Sequence, residues 1–220
     1  MEAYKVRLKQ ANGAVTGSNA GGALRPLQVV FDASPDISEN GSVNYKNIDP
    51  VHAPGSILVF SSSSARTFQI SNIKLFSRNG AEATANYNRV QILKSWRYPV
   101  FGQASTDKLY GDPLLGAPPA VLELSAYNKP NGNAESGMAS GLINRVPVVI
   151  TNIGIDYPSD IDYIPTIAVG EVDGPLSHIP SGIPVPAIWT ISLTLMECHS
   201  PSQYQRFSIS DFRRGILDGF

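Results

Sequence analysis

Ile188-Trp-Thr-Ile-Ser-Leu-Thr-Leu-Met-Glu197 alternates apolar and polar residues more clearly than any other stretch of the chain. Successive side chains of a strand point to opposite faces, so this period of two predicts a half-buried β-strand. Trp189, Ile191, Leu193 and Leu195 would face a core, while Thr190, Ser192 and Thr194 would face outward. A second strand is expected over Val146 to Tyr157, which is long and β-branched, with Pro147 near its start where a missing N–H is tolerated. Val121 to Tyr127 alternates in the same way. In Thr67 to Phe76, Phe68 and Ile70 fall on one parity and Ile73 and Leu75 on the other; a β-bulge near Ser71-Asn72 would return all four to one face.

Between these β segments lies one helix candidate. It opens at Asn79-Gly-Ala-Glu82 and runs as far as Tyr98, where Pro99 stops it. Ala83, Tyr87, Val90 and Leu93 recur at spacings of four and three, a stripe suited to packing on a sheet. Trp96 drifts off the face of Ala83, and a strand reading of the second half, with Val90, Ile92, Trp96 and Tyr98 on one side, competes. Shorter β runs are expected at Leu27 to Phe31 and from Ile57 to Phe60, with a hairpin arm between Val43 and Ile48 flanked by the turn signals Asn40-Gly41 and Asp49-Pro50.

The remainder is rich in turn formers: the 19 Gly and 17 Pro together exceed the roughly 12% share usual in globular chains. Small residues from Ala11 to Gly22 offer little side-chain burial to offset backbone ordering, so this segment reads as a flexible arm. Long loops are expected at 102–120, 128–145 and 158–186. The tail after Glu197 has Ser200 as a helix N-cap with Pro201 behind it, then an unusual number of apolar residues for a terminus. With 220 residues, the chain fits one domain, mainly β around one central α-helix.

Charge and motifs narrow the function. A net charge of -1, from 17 basic and 18 acidic residues, lacks the electrostatic footprint of tight nucleic-acid binding. No apolar run approaches the ~18 residues that span a bilayer, and the opening residues lack the apolar region of a secretory signal. A single cysteine, Cys198, rules out an intrachain disulfide and fits a reducing compartment. His52, His178 and His199 lie in separate turn-like segments, and no Gly-x-Ser-x-Gly elbow accompanies them, so loop histidines are the better reading. Asp156, Asp160, Asp162, Glu171 and Asp173 lack the spacing of a calcium loop and read as solvated acids. No catalytic residue, metal site or cofactor is expected.

Three segments resemble the baseplate tail-tube initiator and cap proteins of contractile-tailed bacteriophages. They are Thr67 to Phe76 running on to Leu93-Lys-Ser-Trp-Arg-Tyr-Pro99, the strand Pro147 to Tyr157, and Pro186 to Glu197 with the following Cys-His-Ser-Pro-Ser-Gln-Tyr. With the Phe212 to Phe220 tail they cover about a third of the chain. The resemblance implies a β-sandwich or partial barrel of the tail-tube type, with subunits in hexameric rings whose strands join into a continuous channel. It also implies partners: copies of itself, the baseplate hub and the tail-tube proteins, with DNA only in passage, in a virion assembled in the host cytoplasm. The Ala11 to Gly22 segment and the loop from Pro158 to Pro186 depart from the pattern and leave initiator, cap and repeating tube subunit all open.

On this reading Phe207, Phe212, Ile216, Leu217 and Phe220 are candidate subunit-interface residues, the rival being intramolecular packing of a terminal helix. Thr190, Ser192 and Thr194, with Thr151 and Asn152, are candidate channel-facing residues, and read equally well as ordinary solvent-facing ones. A soluble β-sandwich binding module for carbohydrate or protein is the alternative class. Such sites use aromatic platforms, and Trp96 and Trp189 are both expected to face the core.

Overall fold

The computed structural model describes residues 6–11, 15–18, 24–49, 51, 54–99, 118–128, 141–167, 180–215, 217 and 219–220. The first half holds β1 (Arg7–Gln10), β2 (Val15–Ser18), β3 (Leu24–Pro26), β4 (Gln28–Val30), β5 (Asp36–Asn40), β6 (Val43–Ile48), β7 (Ile57–Ser63), β8 (Thr67–Phe76) and helix α1 (Gly80–Ser95). The second half holds β9 (Leu122–Asn128), β10 (Gly141–Asp156), β11 (Tyr163–Pro165), β12 (Pro184–Pro186), β13 (Ile188–Glu197) and the short helices α2 (Pro201–Tyr204) and α3 (Ile209–Arg213). The protein is mainly β, with a large antiparallel sheet and few helices.

β13 spans the bounds its alternation marks, and its four inward side chains, Trp189, Ile191, Leu193 and Leu195, are no more than 3% exposed. It lies inside a seven-stranded sheet of order β4-β1-β9-β10-β13-β8-β5, antiparallel at every pairing. The expected bulge in β8 is present. Ile191 pairs with Ile73 and Leu193 with Ile70, so Ser192 alone faces both Ser71 and Asn72. Asn72 takes a left-handed φ of 59°, which asparagine tolerates better than most residues, and its amide donates to Asp36 Oδ2 at 3.1 Å. In consequence Phe68, Ile70, Ile73 and Leu75 are all buried.

The same device recurs in β10, where Thr151 is the extra residue between the pairs Ile150↔Leu195 and Asn152↔Thr194. Val148 and Ile150 on one side of it, and Ile153 and Ile155 on the other, therefore all reach the core face.

α1 covers that face. Asn79 caps it, accepting from the Glu82 N–H at 2.9 Å, while the Glu82 carboxylate accepts from the Arg78 N–H at 2.8 Å. Ala83, Val90 and Leu93 are fully buried and Tyr87 partly, as the stripe predicts, so the strand reading of the second half falls. The buried face also includes a polar residue whose bonds are made: Asn86 donates to the Phe76 carbonyl at 2.8 Å and the Ser77 hydroxyl at 3.0 Å. Trp96, off the face of Ala83 but expected to face the core, is 3% exposed. It forms the helix C-cap three residues after Leu93, a spacing that puts the two on one side.

Three loop expectations change. β10 begins at Gly141 rather than near Val146, because its ladder with β9 continues through Gly141↔Asn128 and Ile143↔Ala126 past a register break at Asn144-Arg145, where Arg145 has φ 51°. Within 158–186, β11 and β12 form a two-stranded ribbon, locked by Thr166, whose hydroxyl donates to the Pro180 carbonyl and accepts from the Ile183 N–H. Within 11–22, β2 pairs with β3, since backbone pairing needs no large side chain. Of 102–120, only 118–120 lie among the described residues.

Replacing Asn72 by valine places a β-branched residue at φ 59° and is expected to lower stability by roughly 1–2 kcal/mol. The urea midpoint checks this; no change would mean that the bulge can slide along β8.

Candidate assembly surfaces

β6 and β7 form a hairpin arm paired from Val43↔Ser63 to Ile48↔Ile57. Two short crossings, residues 41–42 and 64–66, join it to the β5–β8 pair, with the Ser64 N–H donating to the Ser42 carbonyl at 2.9 Å. Every residue of both strands is exposed. Ile57-Leu-Val-Phe60 puts apolar side chains on both faces of β7, a pattern that belongs to doubly buried strands. Yet Leu58 is 66% exposed and Phe60 58%, with Tyr45 edge-on to the Phe60 ring at 6.1 Å.

The outer face of the sheet carries the candidate channel residues. Paired residues of antiparallel strands share a face, which groups Thr194 with Gln69 and Asn152, and Ser192 with Gly154. A Cβ on Gly154 would meet the Ser192 hydroxyl at 2.5 Å, so glycine permits this close approach. Ser192 is exposed, Thr190 and Thr194 are half-buried, and the exposed Thr151 donates to the Thr194 carbonyl at 3.0 Å. The register also brings Lys74 and Asp156 to either side of Thr190 and, farther along the same face, Lys9 opposite Glu123, so this face carries charges of both signs that β13 alone did not show.

The tail folds back on the end of β13. Phe220 stacks on the His199 ring at 4.2 Å, Phe207 lies 5.2 Å from Phe220 and 5.8 Å from Phe212, and Tyr204 meets His199 edge-on. The candidate interface residues Phe207, Phe212 and Phe220 thus gather in one intramolecular cluster, with Leu217 half-buried and Ile216 outside the described residues. The packing is partial: Phe207 and Phe212 remain 42% and 46% exposed. α2 begins at the expected cap, a full capping box between Ser200 and Gln203.

Beneath the aromatic cluster lies a charged chain that sequence reasoning missed, because Glu39, Arg66 and Glu197 are far apart in number. Arg66 grips the Glu197 carboxylate with Nε and Nη2 and its own backbone N–H, while Nη1 reaches Glu39 at 2.9 Å. His199 Nε2 bonds the same carboxylate at 2.6 Å, necessarily as donor. Burial pushes the Glu197 carboxyl up, but the bonds from Arg66 and His199 and the guanidinium charge outweigh it and hold the group below its ordinary value. Burial likewise opposes charge on Arg66, and its two carboxylate partners more than offset that.

Of the histidines, only His199 lies among the described residues. Asp156, Asp160 and Asp162 are exposed, and Glu171 and Asp173 lie outside those residues. Among the described residues no group of three or more His, Cys, Asp or Glu could hold a metal ion, and no helix is long and apolar enough to cross a membrane. A scan against protein-family models finds no match, and neither does a search of curated proteins.

The run of four consecutive apolar residues at 57–60 marks a strand in the sequence, but its pattern suits a doubly buried strand and gave no sign that it would be left exposed. The Arg66 chain had no such mark.

Because the folded pKa of Glu197 is depressed, its stabilisation is present above the ordinary carboxylate value of 4.5 and is lost as pH falls through the folded value. Urea midpoints measured from neutral to acid pH should fall on the acid side in the native protein and fall less steeply in Glu197→Gln.

Proposed function

We propose that the chain is a structural ring subunit at the baseplate end of a contractile phage tail tube, which starts or caps tube assembly and lines the DNA channel. The observation that carries this reading is the β6–β7 arm. An isolated two-stranded hairpin is at best marginally stable in water, and monomeric proteins rarely expose large contiguous apolar patches. Here Val43, Tyr45, Ile48 and the run from Ile57 to Phe60 are all open to solvent. Such an arm gains its stability by being covered, and a second copy or an axial neighbour is the covering that a ring provides.

Two further features support the reading. Among the described residues β4 and β5 are the edge strands of the main sheet, and such edges can accept strands of adjacent subunits. The centre of the outer face, with Ser192, Thr194 and Asn152, is uncharged and offers DNA no fixed charge to hold it, while Lys74 and Asp156 flank Thr190 and Lys9 pairs with Glu123 farther along the same face. The tail-tube form of sandwich or barrel, the hexameric symmetry, the hub and tube partners and the virion location belong to the same proposal. A repeating tube subunit fits these features equally. Both tryptophans are 3% exposed, which removes an indole platform from the binding-module reading.

Phe60→Asp tests this. The side chain is exposed, so stability should change by no more than about 0.5 kcal/mol. Negative-stain imaging with a candidate hub should show rings for the native chain and none for the variant; rings unaffected by Phe60→Asp would overturn the proposal. Removal of residues 211–220 is expected to reduce oligomer size as well, and an unchanged ring would assign Phe212 and Phe220 to intramolecular packing alone.

A further inference from the structure

We propose that the hairpin arm and the C-terminal tail are coupled through Arg66, so that undocking the tail loosens the root of the arm and a change at the root loosens the tail. Arg66 lies in the 64–66 crossing, one of only two strands of chain that attach the arm to the sheet. Beside it runs the other crossing: a Cβ on Gly41 would lie 3.7 Å from the Arg66 side chain. From this position Arg66 reaches Glu39 on β5 and Glu197 at the end of β13, and its carbonyl accepts from the Glu197 N–H at 2.9 Å.

The chain of contacts becomes drier toward the tail. Side-chain exposure falls from 44% at Glu39 to 23% at Arg66, 8% at Glu197 and 1% at His199. An ion pair exposed like Arg66–Glu39 contributes little by itself, whereas a shielded, multiply bonded pair such as Arg66–Glu197 holds geometry. The shield is the tail: the Phe220 ring lies over the His199 imidazole, with Phe207 against Phe220. The tail is further tied by the Gly219 N–H to the Asn144 carbonyl at 3.0 Å.

Removing Phe220 therefore wets His199 and Glu197, and in higher dielectric the grip on Arg66 weakens. What then orders the crossing is the Ser64 N–H bond to Ser42, the Glu197 N–H bond to the Arg66 carbonyl and the exposed pair with Glu39, without the shielded side-chain grip. The effect must run both ways, since a coupling free energy between two sites is reciprocal. A partner that draws Phe207, Phe212 or Phe220 off β13 would release the arm. The coupling is a property of the single chain and does not require rings to form.

Hydrogen exchange on the isolated chain tests it with two variants that each touch one end. Phe220→Ala should speed exchange at the Ser64 amide, and Arg66→Met at the Cys198 and Gly219 amides, each by about fivefold or more. In an Arg66→Met background Phe220→Ala should no longer affect Ser64. The Ile191 amide of β13 serves as control, since global unfolding would raise its exchange too. Effects confined to the mutated end, or an effect on Ser64 that survives Arg66→Met, would overturn the proposal.

Discussion

β13 can lie between β8 and β10 only because each neighbour carries one extra residue. On β8 the extra residue is in the Ser71-Asn72 pair, and on β10 it is Thr151. A strand has a side-chain period of two, so without these bulges half of Phe68, Ile70, Ile73 and Leu75 would point away from α1. The same would hold for Ile153 and Ile155 on the far side of Thr151. The core that holds the helix to the sheet is thus conditional on two local irregularities, and the outer face inherits its polar character from the same register.

The arm answers to a different constraint. Within the main sheet apolar side chains have a helix and a ribbon to cover them; on β6 and β7 nothing in the described chain does. Strand pairing satisfies the backbone of the hairpin but leaves its apolar surface in water, where burial would be worth about 25 cal/mol per Å². That unrealised free energy is available to whatever covers the arm.

The C-terminal tail lies between these two regimes. Its aromatic rings dock on His199, while Phe207 and Phe212 keep close to half of their surface in water. The charged chain beneath them ties the tail to the root of the arm and sets two otherwise separate surfaces in contact with one guanidinium.

The sequence by itself determined the local structure. Alternation bounded β13, broken parity located the bulge in β8, and Asn79 and Ser200 marked the starts of α1 and α2. Each of these depends on neighbours within a few residues, where chain geometry alone fixes which side chains meet. Only the tertiary structure decided that Arg66 meets Glu39 and Glu197, that Lys74 and Asp156 flank Thr190, and that the run from Ile57 to Phe60 is left uncovered. Those outcomes depend on which strands become neighbours across the sheet, and strand order is set by the summed packing of the whole core, which no single stretch of residues contains.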